Sequence, residues 1–297
     1  MTFWITLAAS AQLLSAVVTF VDRYVLTHVE GLGKPVVYAF YIGLLSCFVL
    51  VLVPFGYVSV PSAIVLELSL IVGVVFISSL LLLYSALTEG HASDVMPVVA
   101  AFSAITSLVL ASQYLNEHLP PHFLFASALF VLGTLIISHF RFTKRSLMLV
   151  LCAGIFFGLT AFLNKIIFTH TTFVDGFFWS RMANVVGALL LLLWPGNMAA
   201  IRRGVADSSQ GTRWLVVGNK TLAGIATAAT LLAISLGSVS VVNAMSGLQF
   251  LFLPLIALMF SPWFPTVLRG EIFHSGIVQK LAGILCMIGG MILLYLA

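Results

Sequence analysis

Charge is scarce in this chain. Only 7% of its 297 residues are Asp, Glu, Lys or Arg, whereas 61% are hydrophobic. A soluble domain carries about 25% charged residues, which form the surface that meets water. The composition therefore excludes a water-soluble globular protein and predicts an integral membrane protein.

Cysteines and catalytic motifs are equally sparse. Cys47, Cys152 and Cys286 lie singly within apolar runs, which excludes a disulfide framework or zinc ribbon and predicts small packing residues. The sequence has no nucleotide-binding Gly-x-x-x-x-Gly-Lys-Ser/Thr loop, no His-Glu-x-x-His and no Gly-x-Ser-x-Gly. We therefore expect no enzyme, no metal, no cofactor and no direct use of ATP. The formal charge of +4 comes with basic residues in short connections, so we expect no nucleic-acid partner.

Apolar runs, in contrast, fill the chain. A transmembrane helix needs about 20 predominantly apolar residues. Ten stretches reach this length, and short segments with turn-forming residues connect them. They cover approximately residues 3–22, 35–55, 62–87, 92–115, 121–140, 147–168, 174–194, 213–236, 239–260 and 277–296. The sequence thus predicts an all-α integral membrane protein with ten transmembrane helices.

The chain repeats itself. Residues 20–28 and 162–170 share a Phe, a polar residue, a cation, three apolar residues and a final Thr-His. Further segments then correspond in the same order: 84–93 with 231–240, 116–117 with 270–271, and 132–134 with 288–290. Such self-similarity indicates a duplicated structural unit.

The duplication divides the chain into two five-helix repeats, residues 1–143 and 144–297, within one membrane domain. Because five is odd, the second repeat would enter the membrane from the opposite side. Inverted repeats are a transporter architecture whose substrate site lies near the bilayer midplane between the halves. We therefore expect transport across the membrane.

These features resemble the drug/metabolite transporter superfamily, in its ten-helix EamA-type form. The first helix ends in Val-Asp-Arg-Tyr (21–24), and small-residue hairpins at 90–93 and 237–240 precede the fourth and ninth helices. Asn116-Glu117 and Gly270-Glu271 are similar to the Gly-Glu that precedes the last helix of each half in this family. Asn116 replaces the usual Gly, and about seven extra residues precede Glu271. The resemblance covers the whole chain and implies an exporter of amino acids or related compounds.

The charge distribution and the family resemblance make conflicting predictions for the orientation of the protein in the membrane. Lys and Arg residues concentrate in the connections on the side opposite the termini, and this excess marks the cytoplasmic face. These residues are Arg23, Lys34, Arg141, Lys144, Arg145, Arg202, Arg203, Arg213 and Arg269. The charge distribution therefore predicts both termini outside the cytoplasm, whereas the family resemblance implies both inside. We favour the charge distribution because it extends over four connections.

Arg181 is the sharpest candidate for a functional residue. It lies roughly two turns into the seventh predicted helix, too deep for its side chain to reach water. A charge at such depth costs about 2.5–3.5 kcal/mol on insertion scales and so requires a reason. We expect its guanidinium to face a central cavity and bind a substrate carboxylate or phosphate at two points. The structural alternative is an ion pair, for example with Glu67.

Lys220 in the eighth predicted helix is a second candidate anion contact, or alternatively a cation that reaches the membrane surface along its stem. Polar and aromatic residues elsewhere in the helices are further candidate substrate contacts, although such groups more often form interhelical hydrogen bonds. They are Trp179, Tyr41, Tyr84, Asn243 and Gln249.

Four charged residues, Glu67, Arg23, Lys165 and Asp22, are candidates for coupling or gating. Glu67 in the third helix is predicted to be a buried carboxylate available for proton coupling, or alternatively an interfacial residue. Arg23 and Lys165 occupy equivalent repeat positions near opposite faces. They are predicted either to anchor the helix ends at the interface or to pair alternately with acidic partners during gating.

The sequence therefore favours a secondary-active transporter, an exporter or exchanger, of a small organic metabolite such as an amino acid. It would work by alternating access in the plasma or inner membrane, as a multi-pass monomer or homodimer, with proton coupling as an option. The expected partners are a small-molecule substrate and the lipid bilayer. Two alternatives stay open: a transporter or flippase of a lipid or hydrophobic compound, and a non-transporting receptor.

Overall fold

A computed structural model describes residues 2–28, 34–89, 92–115, 117, 119–138, 142–206, 210–260 and 277–296. All regular secondary structure in these ranges is helical. The α-helices are α1 (Thr2–His28), α2 (Pro35–Leu45), α3 (Ala63–Glu89), α4 (Ala92–Tyr114), α5 (Pro121–Ile137), α6 (Lys144–His170), α7 (Phe173–Leu190), α8 (Pro195–Ala206), α9 (Gln210–Leu236), α10 (Val239–Ala244), α11 (Leu248–Phe260) and α12 (Ile277–Leu296).

Seven helical stretches in the described ranges are long and apolar enough to cross a membrane. Three shorter apolar helical stretches, Pro121–Ile137, Val239–Leu253 and Leu281–Tyr295, accompany them. In a bilayer every backbone polar group must be satisfied within the protein, and helices achieve this internally. The chain is an all-α, multi-pass membrane protein, and this part of the sequence prediction is confirmed.

Some predicted stretches differ from the structure in detail. The second, 35–55, consists of α2 followed by a 3₁₀ helix over Ser46–Phe55, here called the 3₁₀ segment. A 3₁₀ helix rises about 2.0 Å per residue, so this segment spans more of the bilayer than an α-helix of equal length. The ninth stretch is divided into α10 and α11 by a 3₁₀ turn at Met245–Gly247. The polar connection that begins at Pro195 contains a helix, α8, which the sequence analysis did not predict.

Side-chain caps fix where several helices begin. Thr172 and Ser238 precede α7 and α10, and their hydroxyl groups accept hydrogen bonds from the backbone N–H groups of Asp175 and Val241. Such caps satisfy N–H groups that the first turn of a helix leaves unpaired. The Asp175 carboxylate also accepts hydrogen bonds from the backbone and side chain of Ser59, at 2.7 and 2.8 Å. This contact holds the loop after the 3₁₀ segment against the start of α7.

Glycines allow α3 and α7 to pack with their backbones in contact. A methyl group added at Gly73 would clash with the carbonyl group of Ala183, and one added at Gly187 would lie 2.7 Å from the Gly73 carbonyl oxygen. Small residues at such crossings let membrane helices approach closely. The α3–α7 crossing forms one wall of the cavity described below.

We expect Gly73→Val to destabilise the protein. The added side chain must push α3 away from α7, and overpacking of this kind costs about 1–3 kcal/mol. Gly224→Val in α9 is the matched control, because nothing lies within 4 Å of a methyl group added there. Thermal unfolding of both variants in detergent measures the difference. Equal unfolding midpoints for the two variants would contradict the close packing of α3 on α7.

Candidate functional site

A cavity of about 340 Å³ lies between α2, the 3₁₀ segment, α3, α7 and α9. Its wall is mostly apolar and includes the rings of Phe76 and Phe177. Two cationic side chains, Arg181 of α7 and Lys220 of α9, also line it. Phe76, Arg181 and Lys220 lie away from the ends of the apolar spans Ala63–Glu89, Phe173–Leu193 and Trp214–Leu236, so this part of the cavity lies inside the membrane-spanning region. A mostly apolar cavity with a few converging polar groups is typical of a small-molecule site.

Arg181 is buried without a counter-charge among the described residues. Its side chain is 9% exposed, and its Nε atom is buried without a hydrogen-bond partner there. The guanidinium carbon lies 5.6 Å from the ring centroid of Phe76 and 5.7 Å from that of Phe177. These cation–π contacts offset part of the cost of burying the charge. A buried charge is otherwise paired, and here the unpaired guanidinium lines the cavity.

Lys220, in contrast, is paired. Its Nζ atom lies 2.7 and 2.6 Å from the two carboxylate oxygens of Asp22 in α1. The same carboxylate accepts hydrogen bonds from Asn219 at 2.6 Å and from the Tyr38 hydroxyl at 2.8 Å. The Lys220 ammonium also lies 4.8 Å from the centre of the Tyr38 ring. This cluster joins α1, α2 and α9 beside the cavity.

The two cations therefore differ in their electrostatic surroundings. Asp22 compensates Lys220, whereas no carboxylate of the described residues contacts Arg181. The structural alternative, an ion pair of Arg181 with Glu67, is not among the described contacts, and Glu67 is exposed on the outer surface of the bundle. An anion in the cavity would consequently interact first with Arg181.

The other candidate contacts in the first half and in α7 have structural partners. The Tyr41 hydroxyl donates to the carbonyl group of Ile201 at 3.4 Å, and Trp179 donates to that of Ser59 at 3.1 Å. Tyr84 is buried and packs edge-to-face against Tyr38, with ring centroids 4.8 Å apart. Tyr84 thus packs against the Tyr38 ring of the Asp22 cluster. The hydrogen bonds of Tyr41 and Trp179 connect α2 to α8 and α7 to the loop at Ser59.

Asn243 and Gln249 lie away from the cavity. The Asn243 amide donates to the Ser103 carbonyl and hydroxyl oxygens, both at 2.9 Å, and to the Ser107 hydroxyl at 3.0 Å. This is the interhelical hydrogen bonding that the sequence analysis considered as the alternative. Gln249 is half-buried in α11 and is not one of the described residues that line the cavity.

Lys165 holds the end of a helix. Its ammonium donates to the carbonyl groups of Ile234, Ser235 and Gly237, at 2.8, 3.3 and 2.7 Å. A cation at this position also interacts favourably with the negative end of the helix dipole. Its repeat equivalent Arg23 is in α1, but the Arg23 side chain lies outside the described residues.

Of the two alternatives predicted for Glu67, a buried carboxylate and an interfacial residue, the structure contradicts the buried one. The residue lies in the second turn of α3, and its side chain is exposed on the outer surface of the helix bundle. Val65 and Ser69, two positions away on either side, point into the bundle instead. A period of 3.6 residues cannot place all three on one face. Glu67 is therefore an interfacial residue in this structure.

Comparison with known proteins supports the fold alone. No family model matches the chain, and no curated protein is similar to it. Among 27 matching solved chains, one crystal structure, described only as that of a protein, superimposes with a TM-score of 0.68. The alignment covers 98% of this chain and 99% of that chain at 14% sequence identity. The helical arrangement therefore exists in another protein along essentially its full length.

The sequence predicts Arg181 and Lys220 as candidates, and the structure places both on one cavity. The sequence does not predict that Asp22 pairs with Lys220, nor that Tyr38 and Asn219 complete that cluster. A signal was present, since Asp22 and Lys220 are opposite charges within apolar helices. Pairing them required knowledge that α1 packs on α9, which the sequence alone does not give.

Proposed function

We propose that this protein is a secondary-active transporter that carries a small organic anion by alternating access. The observation that carries the proposal is Arg181, a buried cation that lines a mid-membrane cavity and lacks a carboxylate partner among the described residues. Its planar guanidinium suits two-point recognition of a carboxylate or phosphate. An amino acid or a related compound offers such a group.

The packing of the helices supports the proposed inverted repeat. Under that repeat α1 corresponds to α6, α3 to α9, α4 to α10 and α11, and α5 to α12. The contacts follow these equivalences: α3 packs on α6 as α1 packs on α9, α4 packs on α6 as α1 packs on α11, and α5 packs on α12. Ten membrane segments in two inverted halves explain this pattern, and the resemblance to the EamA-type drug/metabolite transporters agrees with it.

One pair of helices departs from the symmetry, and the departure supports alternating access. Because α2 corresponds to α7 and α3 to α9, the repeat predicts that the α3–α7 contact has an equivalent contact between α2 and α9. The α3–α7 contact is close and glycine-mediated. The described parts of α2 and α9 meet at Tyr38 and Lys220, and beyond this contact the cavity lies between them. Inverted-repeat transporters change access when one half moves against the other. We propose that the opposite state brings the rest of α2 against α9 and separates α3 from α7.

The Asp22–Lys220 pair places a candidate for coupling beside the cavity. An anion that enters the cavity can compete with Asp22 for Lys220, because both cations line the same space. Binding of the substrate anion would then separate Asp22 from Lys220. Glu67 is exposed and is not one of the described residues that line the cavity.

The protein is proposed to act in the plasma or inner membrane, with its basic connections in the cytoplasm. Lys144, Arg145 and Arg202 are exposed near the ends of their helices, where cations mark the cytoplasmic side. This orientation places both termini on the opposite side.

Counterflow in proteoliposomes tests the proposed function. Vesicles that contain the purified protein are preloaded with unlabelled amino acids and with carboxylates of short and medium chain length, and uptake of a matching labelled panel is recorded. We expect transient accumulation of at least one labelled anion and none of the matched amines. Absence of accumulation by protein shown to be folded, for every anion tested, would contradict transport of small anions.

A further inference from the structure

The cavity opens sideways through the wall of the helix bundle. Phe48 and Val51 of the 3₁₀ segment and Ile225 of α9 line it, yet their side chains are 56%, 63% and 56% exposed on the outer surface. These residues lie within the apolar spans Pro35–Phe55 and Trp214–Leu236. The opening is therefore at the depth of the hydrocarbon core, where the surrounding medium is lipid.

The opening results from the way in which the neighbouring helices pack. The 3₁₀ segment packs on α2 and α7, and α9 packs mainly on α1, so the described residues of the two walls share no extended contact. On the α9 side the rim is formed by Thr221 and Gly224, both exposed. A methyl group added at Gly224 would have nothing within 4 Å. On the α9 side the opening is thus bordered by Thr221, Gly224 and Ile225, and on the other side by the apolar side chains of Phe48 and Val51.

Polarity changes along the depth of the cavity. The rim is mostly apolar, whereas the buried guanidinium of Arg181 lies at the inner wall, between Phe76 and Phe177. The Nε atom of Arg181 has no hydrogen-bond partner among the described residues. A water-soluble anion would satisfy this guanidinium but would leave the apolar rim without a partner. A molecule with an anionic head and an apolar tail matches both parts.

We infer that the substrate is a single-chain carboxylate amphiphile, which enters the cavity from the bilayer between the 3₁₀ segment and α9. Its carboxylate would bind Arg181, and its alkyl chain would extend through the opening into lipid. A volume of about 340 Å³ lies near the lower end of the range for small-molecule sites, so it accommodates a head and the first part of one chain. This inference rests on the proposed function and names its substrate class.

Gly224 offers a variant that blocks the opening without disturbing the fold. Gly224→Trp fills the rim, and the open space around this position tolerates the added ring. Gly218→Trp is the matched control on the same helix. Gly218 is also exposed with nothing within 4 Å of an added methyl group, and it is not one of the described residues that line the cavity.

The experiment uses a dodecanoate that carries a photoreactive diazirine, with the full-length protein in lipid nanodiscs. After irradiation, mass spectrometry locates the labelled residues. We expect labelling concentrated on the facing sides of α9 and the 3₁₀ segment, with competition by unlabelled dodecanoate but not by dodecyltrimethylammonium. Arg181→Gln should lower this labelling at least about tenfold, which corresponds to one lost charge-assisted interaction. Gly224→Trp should lower it comparably, and Gly218→Trp should leave it unchanged.

Two results would overturn the inference. One is labelling spread evenly over the outer surface and insensitive to Arg181→Gln and Gly224→Trp, since this would show ordinary partition into lipid. The other is counterflow of a short, water-soluble anion that neither dodecanoate nor Gly224→Trp inhibits. That second result would leave the proposed transport intact while rejecting an amphiphilic substrate, so the two proposals fail separately.

Discussion

Replacing Arg181 with lysine is expected to abolish most transport while the protein stays folded. Lysine keeps the charge but loses the planar pair of donors that holds a carboxylate at two points. A charge-assisted hydrogen bond contributes about 1.5–3 kcal/mol, so kcat/KM for counterflow should fall by about tenfold or more. Arg181→Leu should remove transport entirely.

The stability of these variants separates a binding role from a structural one. Arg181 is buried without a carboxylate partner among the described residues, and an uncompensated charge within a membrane protein is costly. Arg181→Leu should therefore unfold at the same temperature as the wild-type protein or at a higher one. A fall in the unfolding midpoint that parallels the loss of transport would contradict the proposal, because it would indicate a structural ion pair.

Asp22→Asn is expected to be the most destabilising substitution in the polar cluster. The Lys220 side chain is 7% exposed and that of Asp22 is 21% exposed, so the variant leaves a largely buried ammonium without its counter-charge. Breaking a buried pair from one side costs about 3–5 kcal/mol. Because the Asp22 side chain is partly exposed, we expect the lower part of this range. Thermal unfolding in detergent measures the effect.

A double-mutant cycle tests whether the charge pair itself is responsible. Asp22→Asn combined with Lys220→Gln removes both charges and should recover most of the lost stability. The exposed pair of Arg145 and Glu89, at 3.1 Å with side chains 82% and 27% exposed, provides the comparison. Arg145→Gln should cost less than about 1 kcal/mol, as is usual for surface ion pairs. If Asp22→Asn were as stable as Arg145→Gln, Lys220 would have to reach water.

The sequence was sufficient to predict the all-α membrane fold because the signal is local. A run of apolar residues of bilayer length identifies a helix without knowledge of its neighbours. Helix α8 was missed because it lies in a polar connection and has no such signal. The ten-helix inverted repeat stays a prediction, which the packing pattern supports.

The candidate site could likewise be predicted only where the signal in the sequence is local. Arg181 and Lys220 were recognised because a cation in an apolar run is conspicuous whatever surrounds it. Their surroundings were not predictable, since the contact between Lys220 and Asp22 joins residues 198 positions apart in sequence. For Glu67 the position in an apolar run allowed either a buried or an interfacial carboxylate, and only the packing of the helix shows that the side chain is turned outward. Depth in the membrane can be read from a sequence, whereas the direction of a side chain depends on tertiary packing.

Access to the cavity from both sides of the membrane is the property that the proposed transport cycle requires. Thr227 of α9 lines the cavity and is half-buried, so a cysteine at this position reports access. The three free cysteines would first be replaced by alanine. Leu285 of α12 is 67% exposed on the apolar outer surface, and Leu285→Cys supplies the control for reagent that enters through lipid.

The measurement is labelling of Thr227→Cys by a membrane-impermeant maleimide, in right-side-out and in inside-out vesicles. The account predicts modification in both preparations, with Leu285→Cys unmodified in both, because the cavity opens alternately to the two sides. Modification of Thr227→Cys from one side only, in every condition tested, would contradict alternating access and would indicate a receptor with a fixed pocket.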